Sequence, residues 1–127
     1  MIEDFTRVLA HVMGLKNMNK NSEALDEIYD AYKTFFGLNQ EELGKILPED
    51  FVKKISENPD FKKEHLESIA RALMMEGDLY PLNPVKSQDC REKALLLFRH
   101  LEIIDAGTFS LTRKESIKQL ENLLLSE

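Results

Sequence analysis

Apolar residues recur at three- and four-residue spacing along most of this 127-residue chain, interrupted by isolated glycines, prolines and capping residues. That spacing follows the 3.6-residue turn of an α-helix, so each segment presents one apolar stripe that only a neighbouring element can cover. The fold expected is all-α: an irregular multi-helix bundle of about six helices, two of them short, in a single domain over residues 1–127. With 43% hydrophobic and 31% charged residues, the chain has enough apolar surface for a core without staples.

The first helix is expected over about residues 2–15, with Ile2, Phe5, Leu9, Val12 and Met13 on one side. Asn17, Asn19 and Asn21 mark a turn, Ser22 is the expected N-cap of the second helix, and Gly37 its left-handed terminator. Between those caps Ala24, Leu25, Ile28, Tyr29, Ala31, Tyr32, Phe35 and Phe36 fall within an arc of about 160°, wide enough for two neighbours. The tyrosines are expected to bury their rings while their hydroxyls reach the edge of the core.

Asn39 to Glu42 resembles a capping box opening a short helix to about Leu47, and Pro48 suits the first turn of another ending near Ser56. A long helix is expected from Asn58-Pro59 to Tyr80, with Leu66, Ile69, Ala70, Leu73, Met74 and Gly77 as its stripe. Prolines 81 and 84 predict an extended bend over 81–87. A further helix follows over about 88–106, ended by Gly107. Phe109 and Leu111 are expected to tuck against the core, and Thr112 with Glu115 to open the last helix.

The segments beginning Glu23-Ala24-Leu25 and Lys93-Ala94-Leu95 echo each other at an offset of about twice the 34-residue tetratricopeptide period. The chain resembles a family of small bacterial helical proteins of unknown function. The likeness lies in Ile2, Phe5 and Leu9, in Ser22-Glu23-Ala24-Leu25 with Ile28, in the Phe36-Gly37-Leu38 exit, and in tetratricopeptide-like helix over 92–101. It implies tetratricopeptide-like helix pairs and carries no catalytic residues.

The formal charge of −6 disfavours nonspecific binding to nucleic acid or an anionic membrane, both of which need a positive field. Neither a signal-peptide core nor a run of 18 apolar residues is present, so a cytoplasmic protein is expected. Cys90, the one cysteine, excludes an intramolecular disulfide, and its alignment with Ala94, Leu97 and Leu101 reads as a small buried hydrophobe. His11, His65 and His100 fall on helix margins without metal-ligand spacing. No metal, no cofactor and no catalytic residue are expected. Glu23, Asp26, Glu27 and Asp30 form a solvated acidic face.

The helix over 88–106 is unusual, because Leu96 and Ile103 lie opposite its main apolar face. With Leu123 and Leu125 of the last helix they form a candidate interaction surface, for a homodimer or another protein partner, unless the terminal helix covers them. A non-catalytic protein-interaction or structural module is therefore the leading functional expectation. The alternative is a small ligand-binding or enzymatic module with a pocket between helices. An enclosed polar cavity onto which Tyr29, Tyr32, Cys90 or a histidine converged would favour that alternative.

Overall fold

Seven α-helices and no strand are found among the described residues of the computed structural model, which are residues 2–126 and, for Ile2, the backbone alone. The expected place of the Ile2 side chain in the first stripe lies outside them. α1 (Ile2–Asn17) and α2 (Asn21–Phe36) are joined by a turn in which Asn19 adopts φ +59°, a left-handed conformation that asparagine tolerates. This turn brings the backbone into helical geometry early. The Ala24 N–H bonds the Lys20 carbonyl at 3.0 Å, so Ser22 lies inside the first turn and is not the expected cap. Gly37 ends α2 at φ +64°, and the N–H of Leu38 reaches back to the Tyr32 carbonyl at 3.0 Å.

α3 (Gln40–Lys45) starts at Asn39, whose side chain accepts from the N–H groups of Glu41 and Glu42. α4 (Pro48–Ser56) has its proline in the first turn, as expected. α5 (Lys63–Gly77) is shorter than the expected 58–80. At its start, the Asn58 side chain accepts from the Asp60 N–H and its carbonyl from the Phe61 N–H, closing a separate turn. At its end, the Asp78 and Leu79 N–H groups bond only three residues back, which unwinds the helix before Pro81.

α6 (Pro84–Ile104) begins inside the segment expected to be an extended bend. Asn83 caps it by accepting from the Lys86 N–H at 3.2 Å, and Pro84 sits where a missing N–H costs nothing. α7 (Leu111–Leu125) is capped by Ser110 rather than Thr112, the Ser110 hydroxyl accepting from the Arg113 N–H at 3.2 Å. That earlier start makes Arg113 the inward residue of the first turn. Phe109 and Leu111 consequently stand exposed instead of tucked against the core, and the Lys114 ammonium lies 5.6 Å from the centre of the Phe109 ring.

α5 and α6 form an antiparallel central pair: Gly77 packs beside Ser87, and Lys63 meets Asp105 at 3.2 Å. The α1–α2 hairpin packs against α5, with the Phe5 ring edge-on to Phe35 and Phe36 at centroid distances of 5.6 and 4.9 Å. α4 and α7 pack on α6, which therefore has protein on several sides. Its Leu97, Phe98 and Leu101 join Val12, Tyr32, Phe51, Ile69 and Leu120 in one continuous core. No helix among the described residues is long and apolar enough to cross a membrane.

α7 runs antiparallel to α6, through Arg99–Glu121 at 2.6 Å and Lys114–Glu102 at 3.3 Å. Its first turn is held by Arg113, a buried cation that meets Glu67 at 3.2 Å, Asp105 at 3.3 Å and Glu102 at 3.5 Å. Burial opposes the Arg113 charge, but Glu67, Asp105 and Glu102 together outweigh it and raise the guanidinium's pKa. The hydrogen bond from Lys63, with further bonds from Thr108 and Arg113, in turn lowers the Asp105 pKa. Three carboxylates around one guanidinium tie α5, α6 and α7 together without an apolar contact.

A Cβ at Gly77 would lie 2.9 Å from Arg91 Cγ and 3.3 Å from the Ser87 carbonyl oxygen, whereas one at Gly14 would meet open space. Gly77→Ala should therefore destabilise the protein by about 1–3 kcal/mol through forced separation of α5 and α6. Gly14→Ala, inside α1, should stabilise it by about 0.5–1 kcal/mol. Denaturant melts giving both substitutions the same sign would contradict this packing.

Candidate functional site

Buried polar side chains gather where α2, α3, α5 and α6 meet. Tyr32 and Tyr29 come from the apolar arc of α2, Glu76 from the last turn of α5, and Tyr80 from the bend that follows it. The Tyr32 hydroxyl donates to Glu76 Oε1 at 2.8 Å, and the Tyr80 hydroxyl donates to Glu76 Oε2 at 2.7 Å. Because Tyr80 spends its proton on Glu76, the short hydrogen bond between Tyr29 and Tyr80 is donated by Tyr29. A relay thus runs from Tyr29 through Tyr80 to a carboxylate that is only 8% exposed. Cys90, nearly two turns into α6, lies near the same carboxylate.

The second half of the site is a buried cation. Lys93, 2% exposed, donates to the carbonyl of Leu43 at 2.8 Å and to Asp89 Oδ2 at 2.7 Å, and its ammonium stands 5.7 Å from the centre of the Phe51 ring. The Leu43 carbonyl belongs to the last turn of α3, where it also accepts from the Ile46 N–H at 3.3 Å, so Lys93 adds a side-chain donor to that end of the helix. Lys86 lies at the rim, 5.6 Å from the centre of the Tyr80 ring. Tyr32, Glu76, Tyr80, Asp89, Cys90 and Lys93 line a cavity of about 230 Å³, with Leu43 and Leu73 supplying apolar wall and Val85 and Lys86 standing exposed at its edge.

Protonation follows from these neighbours. Burial raises the Tyr32 pKa well above that of a free phenol, and the Glu76 charge raises it further. Burial and Glu76 act the same way on Tyr80, and burial is the largest cause of the raised Tyr29 pKa. Burial, then Glu76, drives the Cys90 thiol far above its ordinary range, so it is a weak nucleophile at neutral pH. Both oxygens of Glu76 already accept hydrogen bonds. The arrangement is built to hold and orient polar groups, and its thiol and phenols stay protonated.

Cys90 is buried, as its alignment with Ala94 and Leu97 required, and Tyr29 is half-buried. The Tyr32 hydroxyl does not reach the core's edge as expected; the whole side chain is enclosed because Glu76 supplies its partner inside. The three histidines stand apart: His11 beside Glu27, His65 accepting from the Lys62 N–H, and His100 against Ser56. Of the candidate interaction residues, Ile103 and Leu125 are 75% and 83% exposed, while Leu96 and Leu123 are half-buried. The Arg99–Glu121 and Glu102–Lys114 pairs fix the α6–α7 register. In that register Leu96 lies toward the end of α7 that carries Leu125, and Ile103 toward its start.

Sequence reasoning missed Glu76, Tyr80, Asp89 and Lys93. A signal for two of them was present. Glu76 continues the ladder Ile69, Leu73 and Tyr80 at steps of four, three and four, and Lys93 falls between Cys90 and Leu97 on the apolar face of α6. A charged residue inside such a ladder is buried with its partner. Compared with family models, curated proteins and solved structures, the chain matches none.

All three tyrosines of the chain belong to this site. Their folded pKa values are raised, so the stability they contribute is complete below the unfolded value of about 10 and is lost as pH rises above it. In an alkaline titration, tyrosinate absorbance should appear together with the loss of helical circular dichroism. Ionisation near pH 10 with the helices intact would contradict the buried network.

Proposed function

We propose that this chain is a small-molecule-binding helical module whose site is the cavity between α2, α3, α5 and α6, and that it binds its ligand without transforming it. The carrying observation is the convergence of Tyr32, Glu76, Tyr80, Cys90 and Lys93 on one cavity of about 230 Å³. Ligand sites characteristically combine apolar wall with a few fixed polar groups. Binding is favoured over catalysis by the protonated state of the thiol and phenols. The antiparallel α1–α2 and α5–α6 hairpins support treating the scaffold as tetratricopeptide-like, and a lone cysteine is compatible with a cytoplasmic setting.

The test is a thermal-shift and NMR screen of metabolite-sized compounds against the protein and its Val85→Trp variant. Val85 is exposed at the cavity's edge, so a bulky side chain there obstructs entry while the core stays intact. A true ligand at a hundredfold excess over Kd should stabilise the protein by about 2.7 kcal/mol, and Val85→Trp should abolish the effect. No stabilising compound, or stabilisation indifferent to Val85→Trp, would overturn the proposal.

A second reading, a protein-interaction module that forms a homodimer, is supported by the exposure of Ile103 and Leu125. Sedimentation equilibrium should then give twice the 14.7 kDa chain mass, and Ile103→Glu should return the protein to a folded monomer. A monomer at every micromolar concentration would rule that reading out.

A further inference from the structure

The wall of the cavity carries two charges of each sign. Glu76 and Asp89 are carboxylates, Lys86 and Lys93 are ammonium groups, and the formal sum is zero. These charges are not fully consumed by one another. A carboxylate offers about four acceptor positions, of which Glu76 uses those facing Tyr32 and Tyr80. Asp89 engages Lys93 through Oδ2, which leaves Oδ1 for a further donor. An ammonium has three N–H groups, and Lys93 commits two, to Leu43 and Asp89. Lys86 is exposed at the rim, its ammonium over the face of the Tyr80 ring.

We propose that the cavity takes a small zwitterion bearing an ammonium and a carboxylate a few bonds apart, as in a free aliphatic α-amino acid. Its ammonium is received by Asp89 Oδ1 and the remaining acceptor position of Glu76. Its carboxylate is received by the third N–H of Lys93 and by Lys86, and its side chain lies against Leu43 and Leu73. This inference rests on the ligand-binding reading of the same cavity. Charge balance selects the class. A ligand of single charge leaves a net charge in a partly desolvated cavity, and an uncharged apolar one strips water from Asp89 and Lys93 without replacing it. Size restricts it further, since about 230 Å³ is below the roughly 300–1,000 Å³ of sites for drug-sized ligands.

The experiment is calorimetric and NMR titration of the full chain with alanine, valine, leucine and methionine. The tightest of these is then compared with its decarboxylated amine and its deaminated acid. The zwitterion should bind at least tenfold more tightly than either analogue. Lys86→Gln, an exposed substitution that leaves the core intact, should weaken the amino acid several-fold and leave the amine unaffected. An amine or acid that binds as tightly as the amino acid overturns the zwitterion assignment and leaves the pocket reading standing. So does binding of other compounds, blocked by Val85→Trp, when no amino acid binds. If nothing binds at the cavity, the pocket reading falls and this inference falls with it.

Discussion

A carboxylate buried at a helix crossing is the constraint around which this fold is arranged. Glu76 lies in the last turn of α5, where the only way to keep its charge is to surround it with donors. Tyr32 supplies one from α2 and Tyr80 another from the bend after α5, and Cys90 of α6 lies near them. Each donor has few alternatives, being buried or half-buried itself. The α1–α2 hairpin, the α5–α6 bend and the start of α6 are therefore held in register by one side chain. Apolar packing alone would permit several slides of α2 along α5, because Leu, Ile and Phe contacts are nearly interchangeable.

The opposite end of the α5–α6 pair uses the same logic with the signs reversed. There a buried cation, Arg113, is surrounded by Glu67, Glu102 and Asp105, and α7 is the element positioned. Beyond that hub, α7 rests on α6 chiefly through Leu120 and the half-buried Ile117 and Leu124. A helix with one fully buried leucine has little hydrophobic anchoring of its own, so its orientation depends on directed ion pairs. Planar guanidinium geometry suits the task, because its five N–H groups point in fixed directions toward separate partners.

The helices were legible because their signals are local. Asn39, Gly37 and Pro48 act on backbone groups within four residues, and the structure places each at the helix end expected of it. Misreadings occurred where two local signals competed. Pro84 reads as a helix breaker from one side and as a first-turn residue from the other, and Asn83 as its cap decides for the latter. Ser110 and Thr112 compete as caps in the same way, and the choice decides whether Arg113 or Leu111 faces inward. The cavity was less legible, since its members are separated by as many as 61 positions between Tyr32 and Lys93. A sequence shows that a charge interrupts an apolar ladder. It does not show which distant hydroxyl or carbonyl meets it.

The cavity follows from the brevity of α3. In the last turn of this six-residue helix the Leu43 carbonyl accepts from the Ile46 N–H at 3.3 Å, and its second lone pair is open to a donor from elsewhere. Lys93 supplies that donor from α6, at 2.8 Å. A lysine stem is narrow, and a cavity of about 230 Å³ remains beside it. Phe51 of α4 packs beneath the ammonium and prevents the lysine from withdrawing toward the core. The gap that results is bounded by Glu76 on one side and by the Asp89–Lys93 pair on the other. Its polarity is thus a consequence of how the helices are joined: the groups that position α2 and α3 are the groups that line it.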